Sequence, residues 1–341
     1  MKTRISALQQ RLTTDALLIE NPVDLLYLTG LSLSKGVFVL TKHESCLFVD
    51  GRYIAVAQNT AAVPVVLLEK NSVSGWCSQH KVKTLGFDSA WTTVEQLEVL
   101  NTYAEKLVPV SKPCKPLRVV KEVRELTALR KAADLTWAGL QHVLGLLREG
   151  ITELELAWAF ETYVRTHGAS GLSFEPIVAF GKNSAFPHHR AGNTKLQKND
   201  LVLIDVGAIV DSYRGDLTRV HSFGSPDPKL LQMLEWTKQA QAAALQKVKP
   251  GARVEELDVA ARAVFARHGV EPLFSHGLGH GIGLETHEFP SIKKSGPDAH
   301  VKLEAGMVFT LEPGLYQPGL GGVRWEDIVL VTATGVERLY P

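Results

Sequence analysis

The sequence predicts two domains, a small α/β domain followed by a larger α+β domain. Between Ala16 and Val110, short apolar runs such as ALLIE, GVFVL, SCLFVD and PVVLL alternate with helical patterns, as in an α/β layer domain. A basic stretch with two prolines, KPCKPLR, follows near residues 112–120. After it, helical segments near 153–167, 227–248 and 254–268 separate regions rich in strand signals, which indicates helices covering one face of a curved sheet. We therefore expect one domain at residues 1–115 and a second at residues 118–341.

The second domain is predicted to open with a charged helix that begins at about Lys121. Glu122, Glu125 and Arg130 lie on this helix, where charged residues are typical of a solvated face. We expect these three side chains to face solvent and to belong to no functional site.

A pair of aspartates lies in the next strand-rich segment, LVLIDVGAIVDSYRGDLTRVHSF. Leu201 to Val210 is predicted to be a buried strand, Asp211 to Gly215 a turn, and Leu217 to Phe223 a second strand. A hairpin folded about residues 210 and 211 would place Asp205 directly opposite Asp216, with Cβ atoms about 5 Å apart. Two like charges in an apolar hairpin are costly unless a cation neutralises them. The alternative, two solvent-facing acids at a strand end, fits poorly with the position of Asp205 inside the apolar run.

A second carboxylate pair is predicted near the C-terminus, in GMVFTLEPGLYQPGLGGVRWEDIVLVT. Met307 to Leu311 and Ile328 to Val331 read as strands around a turn rich in glycine and proline. Glu312 and Glu326 are equidistant from Gly319, so they should face each other across this hairpin.

Period-two alternation places Arg324 on the same face as Glu326, with Trp325 and Asp327 on the other. Arg324 should therefore reach whatever Glu326 binds. A simple surface ion pair between Arg324 and Glu326 is the alternative.

Three histidines, His276, His280 and His287, lie between the hairpins in SHGLGHGIGLETHE. Four glycines between residues 277 and 283 argue against a helix, and therefore against a helical two-histidine zinc motif. No strand-turn-helix unit with a downstream acid surrounds the segment, which argues against a phosphate-binding loop. One such histidine alone is more often a core residue, but three beside two carboxylate pairs favour a metal site.

The order of these motifs resembles that in metallopeptidases of the pita-bread fold, and among them the aminopeptidase P and prolidase branch. The motifs are IDVGA, GDLTR, HGLGHGIGLETHE, TLEPG and VRWED, and the match covers about residues 118–341. The resemblance implies a pita-bread metal domain preceded by a smaller creatinase-type α/β domain. It also implies a peptidase that hydrolyses Xaa-Pro bonds in short peptides and assembles as a homodimer.

The resemblance further implies five metal ligands and the role of each. Asp205 would chelate one ion, Asp216 and Glu326 would bridge two ions, and His280 and Glu312 would complete the second.

Four more residues take active-site roles by the same resemblance. NSAFPHH is similar to the segment that supplies a substrate-facing histidine, which falls at His188. His189 is then a neighbour, although the adjacent pair leaves the choice open. His276 and His287 match two further active-site histidines, and Arg324 matches the arginine before the last glutamate.

Mostly oxygen ligands with a single imidazole favour a hard or borderline ion. We expect two divalent ions, with Mn²⁺ the first choice and Co²⁺, Fe²⁺ or Zn²⁺ able to take the same ligands.

Two ions about 3.5 to 4 Å apart share a water, lower its pKa and present hydroxide to a peptide carbonyl. We expect Glu312 to carry the proton to the leaving nitrogen. His188 and His287 should donate hydrogen bonds to the oxyanion or near the leaving nitrogen, and His276 should line the pocket.

The balance of charge excludes some partners. Lys and Arg number 37 against 36 Asp and Glu, a formal charge of +1, so we expect neither a nucleic acid nor an acidic membrane surface as partner.

No leader-like segment or apolar run of about 18 residues is evident, and we expect a cytoplasmic protein. Cys46, Cys77 and Cys114 are widely spaced, and we expect them to be passive.

Several alternatives stand beside an Xaa-Pro aminopeptidase. An Xaa-Pro dipeptidase (prolidase) is the nearest. A catalytically inactive pita-bread binding module is more distant, because such a module would be expected to lack ligands and all five are present. Methionine aminopeptidases usually lack an N-terminal domain of this size, and creatinase-like C–N hydrolysis does not need the ligands.

One segment bears on the choice between peptidases. Members that cut only dipeptides are expected to carry an arginine just after the HE motif, but HEFPSIKKSGPDAH contains none. Lys293 or Lys294 could substitute, or both could face solvent. Because lysine lacks the two-pronged fit of guanidinium to carboxylate, we favour an enzyme that accepts Xaa-Pro-Yaa at least as well as Xaa-Pro.

Overall fold

The computed structural model describes residues 2–340, which form two compact units divided between Arg118 and Val119.

The first unit is built on a six-stranded sheet in the order β4-β3-β2-β1-β5-β6. The pairings β1–β2 and β2–β3 are antiparallel, and the other three are parallel. Its strands are β1 Ala16–Ile19, β2 Gly36–Thr41, β3 Ser45–Val49, β4 Val65–Leu67, β5 Thr84–Asp88 and β6 Lys106–Val110. Its helices are α1 Lys2–Gln9, α2 Pro22–Thr29, α3 Ile54–Thr60, α4 Ser72–Gln79, α5 Val94–Leu100 and α6 Lys115–Arg118. The apolar runs noted in the sequence are strands of this sheet, which confirms the predicted α/β layer.

Four long helices of the second unit lie at the positions that the sequence predicts for them. They are α7 Val123–Leu144, α8 Glu153–Thr166, α9 Pro228–Leu245 and α10 Val254–Arg267. Helix α9 begins with an Asp227 side chain that accepts from the Lys229 backbone and with proline at its first position, both favourable at a helix start. The predicted helices near 153–167, 227–248 and 254–268 are therefore confirmed.

The strands of the second unit form four small sheets in the orders β11-β10-β7, β12-β9-β8, β14-β13-β15-β18-β19 and β16-β17. Helices α9 and α10 pack their apolar faces on the same core as β15 and β18, with Phe265 and Phe309 fully buried. The strands are β7 Gly171–Leu172, β8 Ile177–Phe180, β9 Leu201–Val206, β10 Ala208–Val210, β11 Tyr213–Arg214, β12 Leu217–Ser222, β13 Gly279–Gly281, β14 Glu288–Ile292, β15 Val308–Leu311, β16 Gly314–Gln317, β17 Gly321–Arg324, β18 Asp327–Val331 and β19 Val336–Arg338.

The predicted register of the first hairpin is wrong. Asp205 pairs with Thr218, so Asp216 lies diagonally from Asp205 on the same face instead of directly opposite it. The turn centres on Asp211 and Ser212, whose φ angles of 50° and 71° are the positive values that a two-residue hairpin turn requires. The predicted five-residue turn and single long strand are replaced by this tight turn and by a break between β9 and β10 at Gly207.

The predicted register of the second hairpin is confirmed. Leu311 pairs with Asp327 and Gly314 pairs with Arg324, so the register between these pairs sets Glu312 opposite Glu326. The segment expected to be a plain turn contains the additional strands β16 and β17.

The predicted solvated face of α7 is wrong at one position. Glu122 and Arg130 are exposed, but Glu125 is 2% exposed and accepts a hydrogen bond from the Tyr213 hydroxyl at 2.9 Å. Its carboxylate also accepts from the Glu122 backbone as part of a capping box, so the residue is part of the structural core.

Candidate metal centre

A cavity of about 620 Å³ opens in the second unit, and all five predicted ligands line it. Asp205 comes from β9, Asp216 precedes β12, and His280 comes from β13. Glu312 follows β15 and Glu326 precedes β18. The two hairpins and the glycine-rich segment therefore bring their acidic and imidazole groups to one place.

Within the cavity, Asp216, His280 and Glu326 each offer an atom, and these three atoms lie within 4.8 Å of one another. His280 Nε2 lies 3.3 Å from Glu312 Oε1 and 3.7 Å from Asp216 Oδ2. His280 Nδ1 faces the Gly281 carbonyl at 3.1 Å, and because a carbonyl only accepts, Nδ1 carries the proton. Its Nε2 is thereby left to face the carboxylates, as in a metal-binding imidazole.

Glycine allows the backbone of the His280 strand to sit close to its neighbour. A Cβ added at Gly279 would lie 2.0 Å from the Thr310 carbonyl oxygen, a distance at which no side chain fits. The His280 backbone N–H in turn donates to the Thr310 hydroxyl at 3.1 Å. Glycine at position 279 therefore permits this close backbone approach, while the His280 imidazole projects from the strand.

The negatively charged acids of the cluster repel one another strongly, because burial excludes the water that would screen their charges. Burial and then the charge of Asp205 raise the pKa of Asp216 well above its usual range. Burial and then Asp216 do the same to the pKa of Glu326. Burial also raises the pKa of Asp205, although the Arg324 charge opposes it. Such a set is stabilised by added positive charge.

The pKa of His280 is also raised, but by its acidic neighbours and against the effect of burial. Burial acts to lower the pKa of His280, but the hydrogen bond to Glu312 and the charges of Glu312 and Asp216 outweigh it and raise that pKa to about 9. The same contact with His280 lowers the pKa of Glu312 despite burial. In the absence of a cation, a proton on His280 supplies part of the positive charge that the cluster needs.

The residues present fit a divalent cation. Among residues 2–340, Asp205 Oδ1 is buried and has no hydrogen-bond partner, while Oδ2 accepts from Arg324 Nη2 at 2.5 Å. A buried carboxylate oxygen without a partner is costly unless something binds it. Carboxylates with one imidazole are suitable ligands for Mn²⁺ and similar ions.

These shifts predict how the metal-free protein responds to pH. A group whose pKa is raised on folding stabilises the protein below its unfolded pKa, and this stability is lost as pH rises through the folded pKa. For His280 the window is about pH 6.5 to 9, and the raised pKa values of Asp216 and Glu326 act in the same direction. We expect chelated protein to lose on the order of 3 kcal/mol of unfolding free energy across this window, measured by urea denaturation.

The control for this prediction is His280→Gln, which keeps a polar side chain but cannot take the proton. Its unfolding free energy should vary less with pH between 6.5 and 9. A chelated wild-type protein with the same slope as His280→Gln would contradict the prediction.

Apart from His280, four histidines line the cavity, and they differ in how their rings are held. His276 Nδ1 faces the Gly277 carbonyl at 2.8 Å, so Nδ1 donates, and its Nε2 accepts from the Tyr316 hydroxyl at 2.9 Å. His189 Nε2 donates to the buried Glu153 carboxylate at 2.9 Å. Within the described part of the chain, the rings of His188 and His287 form no hydrogen bond, although both line the cavity. Burial lowers the pKa of His276 and His287, which favours the neutral ring in both.

Arg324 connects the cavity wall to the acid cluster. Its side chain is 3% exposed and donates to Asp205, to the Tyr316 hydroxyl at 2.8 Å and to the Thr218 hydroxyl at 3.0 Å. The Thr218 hydroxyl donates to Glu326 Oε2 at 2.6 Å. Arg324 and Glu326 are therefore not a surface pair, and Arg324 reaches Glu326 through Thr218.

Tyr316, Thr218 and Glu153 were not predicted from the sequence to belong to the site. Tyr316 pairs with Gly322 and so lies diagonally from Arg324 on one face, a relation that the hairpin register predicts. Thr218 could have been found only from the correct register of the first hairpin. Glu153 looks like an ordinary acid in the first turn of a helix, and no local signal marks it.

Lysines 293 and 294 have different surroundings. Lys293 lines the cavity, whereas Lys294 Nζ lies 3.2 Å from Glu271 Oε1 in an exposed ion pair. Both lysines are exposed, as the solvent-facing alternative expects, but of the two only Lys293 also lines the cavity.

A buried acid and imidazole cluster at the wall of a cavity, assembled by two strand pairs, defines a metal-dependent hydrolase site as its class. Residues 127–333 match the model of metallopeptidase family M24, and residues 3–120 match the creatinase/prolidase N-terminal domain. The chain belongs to metallopeptidase family M24. The predicted fold class, a pita-bread metal domain after a creatinase-type domain, is confirmed.

Relatives of known type are similar over nearly the whole chain. The Xaa-Pro dipeptidase of Pyrococcus horikoshii is 33% identical over 328 residues, which cover 95% of this chain and 92% of that protein. The solved structure of the Xaa-Pro dipeptidase from Bacillus anthracis has a TM-score of 0.94 at 30% identity, with 99% and 96% of the two chains covered. That of the X-Pro aminopeptidase from Thermotoga maritima has a TM-score of 0.91 at 28% identity, with 98% and 97% covered.

Within residues 2–340, every helix is too short or too polar to cross a bilayer.

Proposed function

We propose that this protein hydrolyses the N-terminal Xaa-Pro bond of short peptides, as an Xaa-Pro aminopeptidase-like metallopeptidase. The observation that carries the proposal is the acid cluster in the cavity, beside which the imidazoles of His188 and His287 lie without a hydrogen bond to any group within residues 2–340. The names of the similar proteins, Xaa-Pro dipeptidase and X-Pro aminopeptidase, support the substrate class.

We propose that five residues hold two divalent ions, with Mn²⁺ as the native metal. The residues that would hold them are Asp205, Asp216, His280, Glu312 and Glu326. When bound, such ions supply a water of lowered pKa and a Lewis acid for the peptide carbonyl.

The protein's own groups then handle substrate and protons. Glu312 receives the proton from the attacking water and passes it to the leaving nitrogen. His188 and His287, whose rings have no hydrogen bond within residues 2–340, are available to donate to the developing oxyanion. His276 keeps both ring nitrogens bonded within the protein and therefore shapes the pocket. Arg324 orients Asp205 and, through Thr218, Glu326.

The test of this function is a peptide panel assayed with added Mn²⁺. Xaa-Pro and Xaa-Pro-Yaa peptides should be cleaved, and Xaa-Ala peptides should be cleaved much more slowly. A catalytically inactive binding module would cleave none of them, and equal rates for Xaa-Ala would contradict the specificity.

An Xaa-Pro dipeptidase is the second candidate, because several of the similar proteins are named Xaa-Pro dipeptidase or prolidase. The two candidates differ in how the substrate's C-terminal end is bound. We expect kcat/KM for Ala-Pro-Ala to be at least equal to that for Ala-Pro, since the segment HEFPSIKKSGPDAH contributes Lys293 but no guanidinium to the cavity. A preference of tenfold or more for Ala-Pro, about 1.4 kcal/mol of transition-state binding, would show an efficient carboxylate grip and favour the dipeptidase.

The adjacent lysines provide a matched pair of variants for the same assay. Lys293→Ala should change the ratio of kcat/KM for Ala-Pro over Ala-Pro-Ala if the ammonium contacts a substrate carboxylate. Lys294→Ala removes an equal charge that is engaged with Glu271 and should leave the ratio unchanged. An unchanged ratio in both variants would mean that Lys293 does not select substrates by length.

We further propose a cytoplasmic homodimer. A formal charge of +1 gives little repulsion between copies, and the family resemblance points to dimers. Light scattering of the purified enzyme should give twice the 37.3 kDa chain mass. A fully active monomer would exclude any role of a second subunit in catalysis.

A further inference from the structure

A single buried carboxylate holds the segment that carries His188. Glu153 is the first residue of α8 and is 0% exposed. One of its oxygens accepts from the Phe180 backbone N–H at 2.9 Å and from the Asn183 amide at 2.8 Å. Its other oxygen accepts from His189 Nε2 at 2.9 Å and from the Gly192 backbone N–H at 3.2 Å. Four donors spread over residues 180–192 thus converge on one side chain.

This segment has little other regular structure. After β8 and a short 3₁₀ turn at Gly181–Ala185, residues 186–194 belong to no strand or helix. Within the described residues, the His188 ring has no hydrogen bond of its own, so its position depends on the backbone around it. That backbone is anchored to Glu153 both before His188, at Phe180 and Asn183, and after it, at His189 and Gly192.

We propose that Glu153 is a positioning residue for His188. Glu153 accepts a hydrogen bond from His189 and so engages one of two adjacent imidazoles. The other imidazole, that of His188, is left to line the cavity beside the acid cluster. The bonds of Glu153 to Phe180 and Gly192 fix the path of the segment between them. This inference rests on the proposed function, because it assumes that His188 contacts substrate.

The geometry explains why a carboxylate is needed at position 153. All four partners are donors, and an ionised carboxylate is acceptor-only, with two oxygens for four bonds. Glutamine has the same shape but presents an NH₂ group toward one pair of donors. Glu153→Gln therefore disturbs the anchor without leaving a cavity.

The decisive experiment is a double-mutant cycle between positions 153 and 188. Glu153→Gln should lower kcat/KM by about 10- to 100-fold, the scale expected when a catalytic group is misplaced by about 1 Å. In the His188→Ala background the same substitution should change kcat/KM by less than about twofold, because the group it positions is gone. Equal losses in the two backgrounds would overturn the proposal and leave Glu153 a structural residue.

Two variants at His189 keep the test informative if Glu153→Gln folds poorly. His189→Gln retains an amide that can donate to Glu153 and should stay within about threefold of wild type. His189→Leu removes the donor and should fall to the level of Glu153→Gln. Wild-type kcat/KM in His189→Leu would overturn the link through His189.

Glu125→Gln is the matched control, because Glu125 is also a buried acid in the first turn of a helix, α7. It should lower stability, but any effect on kcat/KM should be equal with and without His188. Both glutamine variants should retain the metal content of wild type, and metal loss in Glu153→Gln would contradict a positioning role.

Hydrogen exchange separates failure of this inference from failure of the proposed function. Glu153→Gln should accelerate exchange of amides in residues 180–192 at least tenfold, and Glu125→Gln should not. Wild-type protein that cleaves no Xaa-Pro peptide would refute the proposed function, while the exchange result would still decide whether Glu153 anchors the segment. Unchanged exchange in Glu153→Gln would overturn the anchor whatever the activity.

Discussion

Asp216→Asn and Glu326→Ala are each expected to abolish peptidase activity, with kcat/KM reduced by about 10³-fold or more, or about 4 kcal/mol of transition-state stabilisation. Both residues are almost fully buried and belong to the group whose ligand atoms lie within 4.8 Å of one another. Removing either carboxylate removes a proposed metal ligand from the centre of the cluster. We therefore also expect at least one ion per chain to be lost, measured by elemental analysis of the purified variants.

Glu125→Gln serves as the control for this prediction as well. Like Asp216 and Glu326, Glu125 is a buried acid of the second unit, but it does not line the cavity. The metal content of Glu125→Gln should equal that of wild type. Wild-type activity that survives exhaustive chelation would contradict the metal mechanism altogether.

His188→Ala is expected to lower kcat/KM by about 10²- to 10³-fold while both ions stay bound. The magnitude is that of a lost oxyanion-type hydrogen-bond donor. The structural reason is that the His188 ring lines the cavity but forms no hydrogen bond within residues 2–340. The ring of its neighbour His189, in contrast, is hydrogen-bonded to Glu153. Steady-state kinetics combined with metal analysis of the same preparation checks both parts.

His300→Ala is a suitable control, because His300 is an exposed histidine of the same unit whose ring lies 3.3 Å from Glu255. It should retain wild-type kcat/KM. A His188→Ala variant with reduced metal content would make His188 a ligand and contradict its proposed role.

Sequence periodicity predicted the strands well but could not locate a turn to one residue. The second hairpin register was correct because its glycine and proline residues limit where the chain reverses. The first was wrong because Asp211 and Ser212 adopt positive φ, a conformation that aspartate tolerates but that no neighbouring glycine signals. Asp205 and Asp216 still share a face, since a shift of two positions preserves the alternation of the strand.

Long-range contacts of single polar side chains could not be predicted. Glu125 and Glu153 have sequence surroundings typical of exposed helix starts, yet both are buried because distant groups donate to them. The choice between His188 and His189 likewise depended on Glu153, which lies 36 positions from His189. Motif order predicted which residues belong near the cavity, but only tertiary structure distinguishes a bonded imidazole from one without a partner.

The bond between Thr218 and Glu326 joins residues 108 positions apart and ties the two hairpins together at the acid cluster. During synthesis from the N-terminus, a chain that ends before Glu312 carries Asp205 and Asp216 without the partners that complete the group. Such an incomplete chain has the repulsion of the acids but only part of the ligand set, so a metal ion stabilises it less than the finished protein. Metal binding would thereby favour complete chains over truncated ones, and metal starvation should increase the share of newly made protein that is degraded.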